Sequence, residues 1–212
     1  MAVLSEDLRA RADEIIARYP TSRSALLPLL YLVQAEQGHV SREGMREVAG
    51  ILGLTTAEVE AVATFYTMFK KVPTGRWLIS VCTNVSCALA GARELHDAAR
   101  EALGAASGVV TEDEAFTLEE TECLGACDQA PVVQVNYCSY ARVTGDRMRE
   151  IIEQLRQGTV PPPDAGPKPV EHTDTARILA GVGGLGGVAR QDRDDGGREG
   201  ERTPRTDGDH RG

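Results

Sequence analysis

The chain has 212 residues and a formal net charge of −9, from 23 basic and 32 acidic residues. This acidic balance excludes a protein that binds nucleic-acid backbones, which needs a basic face. No apolar run reaches the roughly 18 residues that a membrane span requires, and the first eight residues show no signal-peptide pattern. We therefore expect a cytoplasmic protein without direct membrane insertion, whose five cysteines stay reduced.

Apolar residues recur at helical spacing through residues 1–72, which predicts an N-terminal helical domain of about four helices. The fourth helix begins with a capping box of Thr55 and Glu58. Aromatic residues continue its apolar face, and we expect Phe65 and Phe69 to pack in the core.

The periodicity changes in residues 73–158, where short apolar or alternating runs predict strands. The fold class is therefore α+β or α/β, with the order β-α-β-β-β-α or one close to it. The predicted strands are Trp77 to Val81, Phe116 to Thr121, Val132 to Val135 and Tyr140 to Val143, and the predicted helices are Ala88 to Leu103 and Asp146 to Leu155.

The composition changes again near residue 160. The last 53 residues hold 11 of the 22 glycines and 6 of the 10 prolines, and they contain no aromatic residue other than histidine. Such a segment buries little apolar surface to offset its ordering entropy. We expect residues 159–212 to form a disordered tail rich in proline, glycine and charge.

Four cysteines form two pairs, each directly after a predicted strand. Cys82 and Cys87 have C-x4-C spacing, and Cys123 and Cys127 have C-x3-C spacing. Both loops can therefore lie at one end of the sheet. Four convergent thiolates form a complete ligand set for a [2Fe–2S] cluster or a structural zinc ion.

The spacing favours the cluster, because structural zinc sites most often use C-x2-C pairs and neither pair has that spacing. A zinc site and unligated or disulfide-bonded cysteines remain open at this point. Gly125 allows a tight loop around a ligand. Acidic residues that flank the second pair would lower the potential of a cluster, or would simply form a solvated acidic face; these are Glu119, Glu120, Glu122 and Asp128.

Three stretches of the sequence are distinctive. They are Val62-Ala63-Thr64-Phe65-Tyr66-Thr67-Met68-Phe69 with the following Pro73-Thr74-Gly75, Val81-Cys82-Thr83-Asn84-Val85-Ser86-Cys87-Ala88-Leu89-Ala90-Gly91, and Glu122-Cys123-Leu124-Gly125-Ala126-Cys127-Asp128-Gln129-Ala130-Pro131. Together they resemble a known family, the 24 kDa or E subunits of bacterial respiratory NADH–quinone oxidoreductase (complex I), over about residues 5–157.

The resemblance implies a thioredoxin-like [2Fe–2S] ferredoxin domain after the helical domain, with Cys82, Cys87, Cys123 and Cys127 as the ligands. It implies an electron-transfer subunit with no catalytic residue and no substrate site of its own. Its partner would be the subunit that binds FMN and NADH, and through it the iron–sulfur peripheral arm. The chain would then lie peripherally on the inner face of the cell membrane.

Three alternatives follow from the same residues. The first is the equivalent diaphorase subunit of an NAD-linked hydrogenase or formate dehydrogenase. The second is a zinc-stabilised binding module. The third is a free ferredoxin, which the additional helical domain argues against.

Three smaller features complete the sequence expectations. Cys138 lies outside the ligand pattern, and we expect a passive, partly buried thiol. Pro131 occupies a position where thioredoxin-like folds have a cis-proline. The G-x-G-x-x-G match in residues 181–186 lacks the strand and helix of a dinucleotide loop, so we expect no nucleotide site there.

Overall fold

A computed structural model describes residues 2–182. In that part of the chain, helices dominate the first third and a four-stranded sheet follows. The helices are α1 (Glu6–Ile16), α2 (Leu26–Gln37), α3 (Arg42–Leu52), α4 (Thr56–Phe65), α5 (Val85–Leu89), α6 (Ala92–Leu103), α7 (Gly145–Arg156) and α8 (His172–Ala180). The strands are β1 (Trp77–Cys82), β2 (Phe116–Thr121), β3 (Val133–Val135) and β4 (Cys138–Tyr140).

The helical domain is built around α2, in which Leu29, Leu30 and Leu32 are completely buried. Such a helix is apolar on most of its circumference, so other elements must cover it on several sides. The predicted capping box of α4 is confirmed, because the Glu58 backbone N–H donates to Thr55 Oγ1 and the Glu58 carboxylate accepts from the Thr55 backbone N–H.

The expectation that Phe65 packs in the core is wrong. Phe65 is 77% exposed, whereas Phe69 is fully buried and its ring centroid lies 4.9 Å from that of Tyr31. The reason is that α4 ends at Phe65 and the backbone of Tyr66 is extended. The helical periodicity therefore stops before Phe69, and the two rings no longer share one face.

The sheet has the strand order β2-β1-β3-β4, with β1 and β2 parallel and the other neighbours antiparallel. Alternate residues of β1 and β2, such as Ile79 and Leu118, form a core with apolar residues of α6 and α7. The opposite face carries Ser80 and Glu119, and it lies toward the helical domain, since Lys70 reaches Glu119 there.

Two predicted elements differ in detail. The single helix predicted from Ala88 is two helices, α5 and α6, which are separated at Gly91. Gly91 has a φ of 93°, a left-handed conformation that glycine adopts without steric cost. The last strand lies at Cys138–Tyr140 instead of Tyr140 to Val143, since the turn after β3 is shorter than expected.

The prediction of a disordered segment from residue 159 is wrong for residues 159–182, which we call the C-terminal strap. The strap crosses the sheet edge, where the Tyr140 hydroxyl donates to the Pro161 carbonyl at 2.8 Å and the Asp164 backbone N–H donates to the Ser139 carbonyl. It then forms α8, which packs on α2 and buries Ala180 in the helical core.

Composition misled here because the strap depends on the rest of the chain for its burial. The hydrophobic side chains that α8 buries are the small ones of Ala176 and Ala180, and α2 and the β4 edge supply the apolar and hydrogen-bonding surface. His172, at the start of α8, is 1% exposed and its ring nitrogens have no hydrogen-bond partner. Burial lowers the pKa of His172 to about 4, so the ring is neutral at pH 7.

The other predictions about the C-terminal region fall on residues 183–212 and lie outside the described residues; they include most of the G-x-G-x-x-G match. None of the helices in residues 2–182 has the length and apolar character needed to cross a bilayer.

The two glycines of α3 provide a test of how closely α2 and α3 pack. A Cβ at Gly44 would overlap Val33 Cγ1, whereas a Cβ at Gly50 would meet nothing within 4 Å. We expect Gly44→Ala to lower the free energy of unfolding by about 1–3 kcal/mol through overpacking. Gly50→Ala should raise it by about 0.5–1 kcal/mol through the better helix propensity. Urea denaturation measures both, and two effects of the same sign would contradict this packing.

The strap is tested by truncation. Removal of residues 159–212 uncovers α2 and the edge of β4, so we expect the free energy of unfolding to fall by roughly 3 kcal/mol. Truncation after Val182 keeps the whole strap and is the matched control. If the chain that lacks residues 159–212 had the same thermal unfolding midpoint as the full chain, this result would contradict a stabilising strap.

Candidate metal centre

Parallel pairing of β1 and β2 brings both cysteine loops to one edge of the sheet. Cys82 is the last residue of β1 and lies in register with Thr121, the last residue of β2. Cys123 follows two residues later. Because parallel strands end at the same edge, the chain leaves both strands at one place.

The first loop turns its second cysteine inward. The Asn84 side chain caps α5 by accepting from the Val85 backbone N–H at 2.8 Å. This short helix places Cys87 inside, at 2% exposure, next to the equally buried Cys82. Val85 and Leu89, two residues to either side of Cys87, are exposed.

The second loop carries its cysteines at the surface. Cys123 and Cys127 are exposed, and their sulfur atoms lie 3.3 Å apart. Gly125 between them has a φ of 80°, a conformation that favours glycine. Its backbone N–H donates to Cys123 Sγ at 3.4 Å. The loop is therefore as tight as Gly125 suggests in the sequence, and it brings one backbone amide to a sulfur.

The two cysteine loops lie close enough for their thiols to influence one another, as the pKa shifts of Cys87 and Cys127 indicate. Burial raises the pKa of Cys87, the Val132 backbone N–H opposes this, and the thiols of Cys82 and Cys127 add to the rise. The neighbouring Cys123 thiol raises the pKa of Cys127, with a smaller contribution from Cys82. The Gly125 backbone N–H lowers the pKa of Cys123.

This donor set fits a thiolate-bound metal group. Four soft sulfur ligands suit an iron–sulfur cluster or zinc, and backbone N–H groups at two of the sulfurs stabilise the negative charge that thiolate ligands carry. Within residues 2–182, no three His, Cys, Asp or Glu side chains are gathered closely enough to hold a single metal ion. The structure places both cysteine loops at the same edge of the sheet, and the role of the four cysteines as ligands stays a prediction.

The acidic residues that flank the second cysteine pair have more ion-pair and hydrogen-bond partners than the sequence indicates. Glu119 forms an ion pair with Lys70 at 2.6 Å, and Glu122 accepts a hydrogen bond from Asn84. Glu120 lies 3.8 Å from His96 Nε2, and Asp128 is exposed. The effect of these acids on a reduction potential stays a prediction. Its size also depends on the partners that Glu119 and Glu122 have in the structure.

Two further side chains bear on the site, one from the first cysteine loop and one from the helical domain. Ser86 lies next to Cys127 and lowers its pKa through a hydrogen bond. Lys70 comes from the helical domain, 49 residues before its partner Glu119. The serine in the C-x4-C loop was a detectable signal, but no local pattern indicates a contact as distant as that of Lys70.

Cys138 lies away from this site. It is on β4, at the far edge of the sheet, and pairs with Val135 of β3. Its thiol is partly buried, and burial raises its pKa. The partial burial agrees with the expectation, and the passive role of this thiol stays a prediction. The Ala130–Pro131 peptide bond, which precedes β3, is cis.

The known proteins whose sequences resemble this chain are consistent with one another. Residues 12–156 match the thioredoxin-like [2Fe–2S] ferredoxin family. The chain is 46% identical over 175 residues to the E subunit of NADH-quinone oxidoreductase from Mycobacterium tuberculosis, which covers 82% of this chain and 69% of the relative. It is 42% identical over 156 residues to the NADH-quinone oxidoreductase subunit 2 of Thermus thermophilus, covering 72% and 86%. Both relatives are subunits of an oxidoreductase complex.

A solved structure also resembles this chain. The crystal structure of an NAD+-reducing [NiFe]-hydrogenase in the air-oxidised state has a TM-score of 0.56 and 25% sequence identity. The similarity covers 63% of this chain but only 23% of the hydrogenase chain. The present chain therefore spans about a quarter of that protein.

Substitution of single cysteines tests the ligand set. We expect Cys82→Ser or Cys123→Ser to reduce the iron content and the visible absorption of the anaerobically purified protein severalfold, because serine is a harder ligand than thiolate. Cys138→Ser is the matched control and should keep both signals at the wild-type level. If Cys138→Ser lost its iron while Cys82→Ser and Cys123→Ser kept theirs, the assignment of the ligands would be wrong.

Proposed function

This chain belongs to the thioredoxin-like [2Fe–2S] ferredoxin family, and on that premise we propose that it is the electron-transfer subunit of an NADH:quinone oxidoreductase. In this proposal it exchanges one electron with the flavin of an adjacent NADH-binding subunit. The family accounts for its cofactor, one [2Fe–2S] cluster. The relatives at 42–46% identity support the complex to which we assign it.

The observation that carries the proposal is the arrangement of the four thiols at one sheet edge. Cys82 and Cys87 are buried, whereas Cys123 and Cys127 are exposed. A group held by these side chains would be anchored in the protein on one side and reach the surface on the other. Such a site suits electron exchange with a second protein, because the partner can approach it without a conformational change.

The chain's own residues have three roles in this proposal. The cysteines would hold the iron, and each iron of a [2Fe–2S] cluster takes two of them. The N–H groups of Gly125 and Val132 would stabilise the sulfur charge. When bound by these residues, the cluster would supply one-electron redox chemistry.

The partner and location follow from the same proposal. FMN and NADH would bind only in the adjacent subunit, which connects this chain to the iron–sulfur peripheral arm. The assembly would place the chain peripherally at the inner face of the cell membrane.

The likeness to the hydrogenase supports a second candidate. The NAD+-reducing [NiFe]-hydrogenase shares the fold over 63% of this chain. This chain would then hold the same cluster next to a flavin in a diaphorase unit, with a different final electron acceptor. The higher identity and coverage of the NADH-quinone oxidoreductase subunits favour the first candidate.

Affinity purification of the tagged full-length chain from its native host tests the function. We expect it to co-purify with a flavin-containing NADH-oxidising subunit and with quinone reductase activity. Low-temperature EPR of the reduced sample should show one additional binuclear cluster for this chain.

The alternatives give different results in the same experiment. Co-purification of a hydrogenase or formate dehydrogenase would favour the diaphorase candidate. Zinc without iron would contradict electron transfer altogether. The Leu124→Ala variant, which keeps every cysteine, is a control for nonspecific damage to the loop and should retain both the partner and the iron.

A further inference from the structure

Lys70 links the helical domain to the two strands that lead to the cysteines. It lies five residues beyond the end of α4, and its Nζ is 2.6 Å from Glu119 Oε2 on β2. The Ser80 hydroxyl on β1 donates to the other carboxylate oxygen at 2.7 Å. The side chains of Lys70 and Glu119 are only 14% and 26% exposed, so water screens this pair less than an ordinary surface ion pair.

This ion pair lies on the same face of the sheet as Cys82. Side chains two residues apart on a strand point to the same side, so Ser80 and Cys82 share a face. Glu119 is in register with Ser80. With a rise of about 3.3 Å per residue, the pair lies roughly 7 Å from Cys82 along the strand direction.

The position of Lys70 is fixed by its backbone. The Lys70 N–H donates to Gln34 Oε1 at 2.8 Å, and its carbonyl accepts from the Val40 N–H at 2.6 Å. Gln34 is completely buried on α2 and also donates to the Met68 carbonyl. The ammonium group is therefore directed at Glu119 by the core of the helical domain.

Within residues 2–182, the side chains of His172 and Tyr137 face the pair, and neither carries charge at pH 7. Burial lowers the pKa of His172, and Lys70 lowers it further. Burial raises the pKa of Tyr137 well above its ordinary value, and Glu119 adds to this rise. The local charge on this face is thus the balance between the Lys70 ammonium and the Glu119 carboxylate.

We propose that Lys70 is a tuning residue for the cysteine site: its ammonium cancels the Glu119 charge beneath Cys82 and thereby raises the reduction potential of the bound cluster. This inference rests on the proposed function, since it needs a [2Fe–2S] cluster on the four cysteines. A reduced cluster carries one more negative charge than the oxidised form, so a nearby uncompensated carboxylate opposes reduction.

The charge balance predicts opposite shifts for the two single substitutions. Lys70→Met leaves the Glu119 carboxylate without a compensating charge and should lower the midpoint potential. Glu119→Gln leaves the Lys70 ammonium without a compensating charge and should raise the midpoint potential. At an effective dielectric of about 20, we expect one uncompensated charge on this face to change the ratio of reduced to oxidised cluster by about tenfold. That ratio corresponds to about 59 mV for one electron.

The double variant K70M/E119Q distinguishes charge from structure. It restores a net charge of zero on this face, so its potential should return close to that of the wild type. Lys70→Arg keeps the charge and should change the potential little. Arg11→Met, which breaks an exposed pair with Glu14 on α1, is the matched control and should not shift the potential.

EPR-monitored redox titration of the full chain at fixed pH measures these potentials, and iron analysis accompanies each sample. If the two single variants retain iron and show the wild-type potential, the tuning role is overturned and the proposed function is not. Shifts of the same sign in both, without recovery in the double variant, would also overturn it, because structural loosening predicts that pattern. A wild-type chain without iron would overturn the proposed function and this inference together. If Lys70→Met fails to take up iron, Glu119→Gln and the double variant decide the question.

Discussion

The site depends on the parallel pairing of two strands, β1 and β2. Parallel neighbours end at the same edge of a sheet, so the loops that follow them begin side by side. Antiparallel pairing of the same strands would place Cys82 and Cys123 at opposite ends. The parallel pairing requires a crossover, which α5 and α6 supply, and α6 covers one face of the sheet together with α7. The fold thus brings together cysteine pairs that are separated by 35 residues of chain.

Sequence patterns predicted most of this architecture where the signal was local. The capping box at Thr55, the buried strand after Trp77 and the convergence of the cysteine loops all rest on short motifs with a direct physical cause. Errors arose where local and tertiary preferences diverged. Phe65 continued a helical pattern beyond the point where the helix ends, and its exposure depends on the turn at Tyr66.

The C-terminal strap shows the same limit on a larger scale. A composition rich in proline and glycine indicates how little a segment buries by itself, but not what surface the rest of the chain offers to it. Here α2 is apolar on nearly all sides and β4 is an edge strand, so both need a cover. The family match ends at residue 156. The alignment with the mycobacterial relative covers 82% of the chain, so it extends beyond that residue even if it begins at residue 1. Part of the strap is therefore aligned with that relative as well.

The helical domain has a physical relation to the cysteine site that neither part shows alone. The sheet face that carries Ser80 and Glu119 would expose a carboxylate beside the cysteine loops if the helical domain were absent. Lys70 supplies the compensating charge, and buried Gln34 fixes the backbone from which it extends. Since a partly buried carboxylate without a partner is costly, the ion pair also favours this placement of the domain against the sheet. A free carrier would need only the sheet and its cysteines, whereas this chain surrounds them with groups that control local charge.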